Sequence, residues 1–175
     1  MMYELRAMTR ETARIVARWQ YSGVYAFYTI REPKAAEEEM SKGDFYSVFC
    51  RSTLIGFFCF GTAAQIPSGQ QFYRDSRYLD IGLGLAPEFC GQGRGQGFTE
   101  AGIYYAAKNW GAEGFRLSVA SFNQRACRVY ERVGFRQIGT FQHARIGRAP
   151  VEFIVMTCDC SPFSNSQSGC LEGLV

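Results

Sequence analysis

The segment Gln92-Gly93-Arg94-Gly95-Gln96-Gly97 decides how this chain folds. It lies between a strand-like run, Tyr78 to Leu85, and a helix-like run, Phe98 to Trp110, so it reads as a strand-to-helix turn. Gly91, Gly93, Gly95 and Gly97 crowd that turn. Glycine permits positive φ and lets a ligand approach the main chain closely. The first amides of the helix that follows lack partners within it, and the helix dipole adds partial positive charge there. Such a turn is an anion site, usually for phosphate. The expected occupant is the pyrophosphate of a nucleotide-containing cofactor.

Three phosphate loops compete for this reading. A Walker A loop needs Gly-Lys-Ser/Thr after its first glycine and spacer, and the turn contains no lysine. The dinucleotide fingerprint needs Gly-x-Gly-x-x-Gly. Begun at Gly91, Gly93 or Gly95, its third glycine falls on Gln96, Phe98 or Glu100, so every register fails. The run Phe115 to Ala120 also lacks the ribose-binding acid of that fold. The third pattern fits. Gln92-x-x-Gly95-x-Gly97 resembles the Gln/Arg-x-x-Gly-x-Gly/Ala signature of the GNAT superfamily of N-acetyltransferases. Downstream, Asn123, Ala126, Tyr130, Gly134 and Phe135 resemble that family's second motif, Asn-x-x-Ala-x-x-x-Tyr-x-x-x-Gly-Phe.

The resemblance implies an α/β architecture with a mixed α+β sheet: the GNAT acyl-CoA N-acyltransferase fold. Its central sheet is mostly antiparallel, with one splayed parallel pair and flanking helices. It also implies acetyl-CoA as co-substrate, no metal, and direct acetyl transfer to a primary amine in a ternary complex. The alternative is a non-catalytic acyl-CoA sensor or structural module of the same fold. A small amine, antibiotic, polyamine, peptide N-terminus and protein lysine all stay open as acceptor. A homodimer is a candidate assembly, since dimers are common among similar proteins.

Composition sets the remaining bounds. A chain of 175 residues, 47% apolar and with 15 Phe and 10 Tyr, suits one packed domain. The expected division is a single GNAT domain over 1–160 and a polar tail over 161–175. The net charge is +3, and its arginines are scattered, which argues for a mixed solvated surface and against a nucleic-acid groove. The seven cysteines sit mostly within apolar runs, as reduced buried thiols of a cytoplasmic protein do. Cys158-x-Cys160 has no second pair or nearby histidine for a zinc site. No stretch approaches membrane-spanning length.

Along the chain, Tyr3 to Met8 reads as a strand and Thr9 as the cap of a helix with Ile15, Val16 and Trp19 on one face. Trp19 to Tyr28 is an aromatic connection, and Pro33 opens a short second helix. Phe45 to Cys50 and Leu54 to Thr62 form a hairpin; Ala63 to Arg77 is a loop. After the central strand, turn and helix come a strand at Phe115 to Ala120 and a helix at Asn123 to Arg132, capped by Gly134. Arg136 to Ile146 and Val151 to Cys158 make a final hairpin.

The resemblance assigns chemistry to particular residues. Backbone amides of Gln92, Gly93, Arg94, Gly95, Gln96 and Gly97 hold the pyrophosphate. The main chain of Leu83 and Leu85, with Gly84 between them, pairs with the pantetheine arm. Strand alternation puts Asp80, Gly82 and Gly84 on one face, where two glycines leave room for a thin ligand; a twist or bulge at the glycines is the competing reading. Tyr130 is the candidate general acid, because a phenol protonates a departing thiolate without being ionised at neutral pH. It lies two helical turns from Asn123, on the same face, and Asn123 is either a pantetheine contact, an N-cap or both. Asp80 is the candidate general base, against a plain role at the strand start. Arg125 and Arg128 are either phosphate partners or solvated. His143, Glu88 and Cys127 carry no expected catalytic part. Acceptor specificity falls to the aromatic connection Trp19 to Tyr28 with the final hairpin; the competing reading makes that connection a core lid over the sheet.

Overall fold

In the computed structural model, which describes residues 2–144 and 149–159, the apolar runs form seven strands. They are β1 (Glu4–Ala7), β2 (Phe45–Cys50), β3 (Thr53–Phe60), β4 (Tyr78–Leu85), β5 (Gly114–Ala120), β6 (Arg136–His143) and β7 (Val151–Asp159). Their spatial order is β1-β2-β3-β4-β5-β7-β6. Every neighbouring pair is antiparallel except β4 and β5, which run parallel. A parallel connection needs a crossover, and the segment between these two strands supplies one. The helices are α1 (Arg10–Val16), α2 (Pro33–Met40), α3 (Gly95–Trp110) and α4 (Gln124–Val133).

Two apolar layers clasp the sheet. On one side Phe98 and Ile103 of α3 and Tyr130 and Val133 of α4 pack on Phe58, Ile81, Phe115 and Leu117. On the other, Ala13 and Val16 of α1 and Met40 of α2 pack on Phe45 and Cys59, with Trp19 and Phe57 beside them. A third cluster joins Phe141, Phe153 and Val155 to Phe27, Tyr28 and Phe122, so the aromatic connection covers the β5–β7–β6 half of the sheet. It contains a 3-10 turn over Gly23–Tyr28.

Local chemistry sets the helix ends. Thr9 and Thr12 cap α1 reciprocally, each side chain accepting from the other's amide at 3.2 and 3.0 Å. The stripe that α1 buries is Ala13 and Val16, followed by Ala17, whereas Ile15 is 48% exposed, contrary to the expected face. The helix stops at Val16, so Trp19 reaches the core from the connection instead. Gly111 (φ 60°) and Gly134 (φ 107°) end α3 and α4 in the left-handed region. Residue 146, where the penultimate strand was expected to end, and the tail over 161–175 lie outside the described residues. Among the described residues no helix is long and apolar enough to cross a membrane.

Candidate active site

The parallel pair is short. Only Tyr78–Gly114, Leu79–Phe115 and Asp80–Arg116 are matched across β4 and β5. A buried ion pair fastens its end. Arg116 Nε donates to Asp80 Oδ1 at 2.6 Å and Nη2 to Oδ2 at 2.9 Å. Gln65 Nε2 adds a third bond to Oδ2 at 2.7 Å, and Arg116 Nη1 donates to the Phe72 carbonyl at 2.6 Å. Beyond this clamp the strands diverge, and a cleft of about 510 Å³ opens between Ile81–Leu85 and Leu117–Val119. Asp80 is 5% exposed and does not line that cleft. The expectation of a catalytic base at Asp80 therefore meets a buried carboxylate that is outside the cleft lining and held by three donors.

The β4 edge presents its main chain to the cleft. Ala86 N donates to Ile55 O of β3 at 2.9 Å, which points the Leu85 carbonyl, at the other end of the same peptide, toward the opposite edge. Alternation by two places the Leu83 amide and carbonyl on that edge as well. Tyr21 of the aromatic connection makes a contact that sequence does not signal: its hydroxyl donates to Leu85 O at 2.9 Å, and burial raises its phenol well above the ordinary value. The room expected above Gly82 and Gly84 is taken by protein. A Cβ at Gly82 would stand 2.5 Å from Cys59 Sγ, and one at Gly84 2.5 Å from the Phe57 ring. These glycines answer to sheet packing.

The glycine turn closes one end of the cleft. Gly91 (φ 74°) and Gly93 (φ 72°) are left-handed, and a Cβ at Gly93 would meet nothing within 4 Å. No side chain caps the amides that begin α3, whereas Thr9 caps α1 and Asn123 caps α4. Gly91, Gly93, Arg94, Gly95 and Gln96 line the cleft; Gln92 and Gly97 do not. Gln92 acts from behind, donating to Glu88 O at 2.6 Å and accepting from Arg94 Nε at 3.1 Å. Gly95 has a second duty, because its Cβ would stand 2.9 Å from Val129 Cγ2 of α4. Arg125 also lines the cleft, its guanidinium 4.0 Å above the Tyr25 ring, and so does Arg132; Arg128 is exposed and does not.

Helix α4 brings the two expected side chains to the same cavity. Asn123 Oδ1 accepts from Ala126 N at 3.3 Å as an N-cap, and its Nδ2 donates to the Tyr28 hydroxyl at 3.2 Å. Tyr130 is 8% exposed and lines the cleft, and burial holds its phenol well above the ordinary tyrosine value. Across from it, Ser118 of β5 also lines the cleft. Its Oγ lies 3.0 Å from the Tyr73 hydroxyl, which accepts from Ile66 N at 3.1 Å. Either hydroxyl can be the donor in the Ser118–Tyr73 bond; where Tyr73 donates, the serine proton is free for the cleft. Neither Ser118 nor Tyr73 had a sequence signal. Arg116 had one: a cation inside the apolar run Phe115 to Ala120 demands a buried partner. His143 bonds Ser68 through Nδ1 at 2.9 Å, and neither it nor Cys127 lines the cleft.

A mixed sheet split at one parallel pair, with a glycine turn at the mouth of the split, defines the acetyltransferase class of folds. The chain belongs to the acetyltransferase (GNAT) family, whose model matches residues 6–135. Over 70 residues, 40% of this chain, it is 36% identical to the mycothiol acetyltransferase of Propionibacterium freudenreichii subsp. shermanii, a match spanning 21% of that protein's length. An aminoglycoside acetyltransferase solved with coenzyme A and kanamycin superposes with TM-score 0.75 at 18% identity, covering 95% of this chain and 100% of that one. A Vibrio cholerae spermidine N-acetyltransferase chimera gives TM-score 0.71 at 19% identity, covering 94% and 99%.

Proposed function

We propose that the protein is an N-acetyltransferase that moves an acetyl group from acetyl-CoA to a primary amine by direct attack. The observation that carries this is the uncapped start of α3, flanked by left-handed Gly91 and Gly93 and opening onto the cleft at the split. Those unpartnered amides fit a pyrophosphate, and Arg94 and Arg125 stand beside them as counter-charge. The main chain of Leu83 and Leu85 would hold the pantetheine amides as a neighbouring strand does, with Tyr21 giving up the Leu85 carbonyl on entry. The aminoglycoside enzyme with coenzyme A bound lends support to this placement.

In the transfer, the amine nitrogen bonds to the thioester carbonyl carbon and the carbon–sulfur bond breaks. Tyr130 gives its proton to the departing sulfur, and the proton shed by the amine passes to water. Ser118 supplies a second donor from the β5 side, held by Tyr73. Asp80 takes no proton in this scheme; its task is to fix the point where the strands part. Burial favours the neutral phenol of Tyr130, the form a general acid needs.

Tyr130→Phe should keep acetyl-CoA affinity, read by calorimetry, while slowing turnover at least about tenfold. Unchanged turnover would remove the acid role. Tight acetyl-CoA binding with no CoA release for any amine would instead make the protein a binding module.

A further inference from the structure

The cleft passes through the sheet, and its two ends differ in chemistry. Toward α3 and α4 it meets the glycine turn with Arg94, Arg125 and Arg132, which are the charged side chains lining it among the described residues. Toward α1 and α2 it is bounded by Val16, Trp19, Ile30 and Phe57, with Tyr21 and Tyr28 at the split. The Trp19 and Phe57 rings lie 6.2 Å apart at 37°, and those of Tyr21 and Tyr28 6.5 Å apart at 73°. The two buried carboxylates of the described residues are both committed. Glu37 accepts from Arg10 at 3.0 Å and Arg14 at 3.2 Å, and Asp80 is held by Arg116 at 2.6 Å.

Resting on the acetyl-transfer reading, we infer that the acceptor is a monoamine with an apolar, preferably aromatic, body, and that polycations are poor substrates. An aryl or branched alkyl body gains by leaving water among these rings. A second ammonium drawn into the same space would lose its hydration without a carboxylate to replace it. The same apolar wall also answers how the attacking amine is deprotonated without a base beside it. Desolvation favours the uncharged form of an amine, so the wall that selects the body also favours the reactive free base.

The test compares 2-phenylethylamine and tryptamine with spermidine and kanamycin under acetyl-CoA saturation, reading CoA release at one pH. The aryl amines should show kcat/KM at least about tenfold higher. Trp19→Ala should raise the phenylethylamine KM severalfold with acetyl-CoA affinity unchanged by calorimetry, and Trp19→Glu should narrow the preference over spermidine further than Trp19→Ala does. Equal or better turnover of spermidine or kanamycin overturns the acceptor class while leaving acetyl transfer intact. A phenylethylamine KM unmoved by Trp19→Ala overturns it too. Acetyl-CoA binding without CoA release for any amine overturns the function itself, and this inference with it.

Discussion

The Asp80 carboxylate receives two hydrogen bonds from Arg116 and one from Gln65, all within 2.9 Å. Replacing it by Asn would leave a guanidinium buried without its counter-charge, which typically costs about 3–5 kcal/mol. Asp80→Asn should therefore lower the denaturation midpoint sharply, while the folded fraction keeps turnover within a few-fold. A general base would show the reverse: an intact midpoint and a turnover loss of about a hundredfold or more. Tyr130 supplies the pH counterpart. Its phenol is raised by burial, so the proton-bearing form persists above the usual tyrosine range. The kcat profile should then show no descending limb up to about pH 10; a fall centred near pH 9 would assign the acid to another group. The spacing of Asn123 and Tyr130 within one helix made their shared face legible in sequence. The Asp80–Arg116 pair was not, because 36 residues separate them and only the parallel register sets them opposite each other.

The turn and its helix divide their glycines between two duties. Gly93 has positive φ and open space where its Cβ would be, so Gly93→Ala strains the cradle by about 1–2 kcal/mol without touching α4. A Cβ at Gly95 would stand only 2.9 Å from Val129 Cγ2, so Gly95→Ala forces α3 away from α4. The predicted difference is rescue. Val129→Ala should restore much of the stability and acetyl-CoA affinity lost by Gly95→Ala and none of that lost by Gly93→Ala, in a double-mutant cycle followed by calorimetry. Absence of selective rescue would mean that both glycines serve the ligand alone. Spacing announced a glycine turn but did not say which glycine admits a neighbour and which admits a ligand. That depends on how closely α4 packs, a tertiary distance. Gly82 and Gly84 teach the same point, since Cys59 and Phe57 fill the space read as open.

At the scale of the molecule, the sheet is two blocks, β1-β2-β3-β4 and β5-β7-β6, joined across three matched residue pairs. The segment from Tyr78 to Phe135 spans that joint, and both sequence motifs fall within it, which is why the architecture could be read from them. The end toward α1 and α2 was legible only in part: Trp19, Tyr21 and Tyr28 fall in the aromatic connection, whereas Val16, Ile30 and Phe57 come from separate elements that no spacing relates. A ligand gripping Leu83 and Leu85 on one block and Asn123 and Ser118 on the other would stitch the blocks together. Saturation with acetyl-CoA at about 100 times Kd should add roughly 2.7 kcal/mol of stability, or about 5–10 °C in Tm for a chain of this size. Hydrogen exchange locates that gain. Slowed exchange should concentrate at the Leu83 and Leu85 amides and at the first turn of α3, with lesser slowing along β5. A Tm rise without protection at those amides would place the ligand elsewhere and leave the split as a feature of packing alone.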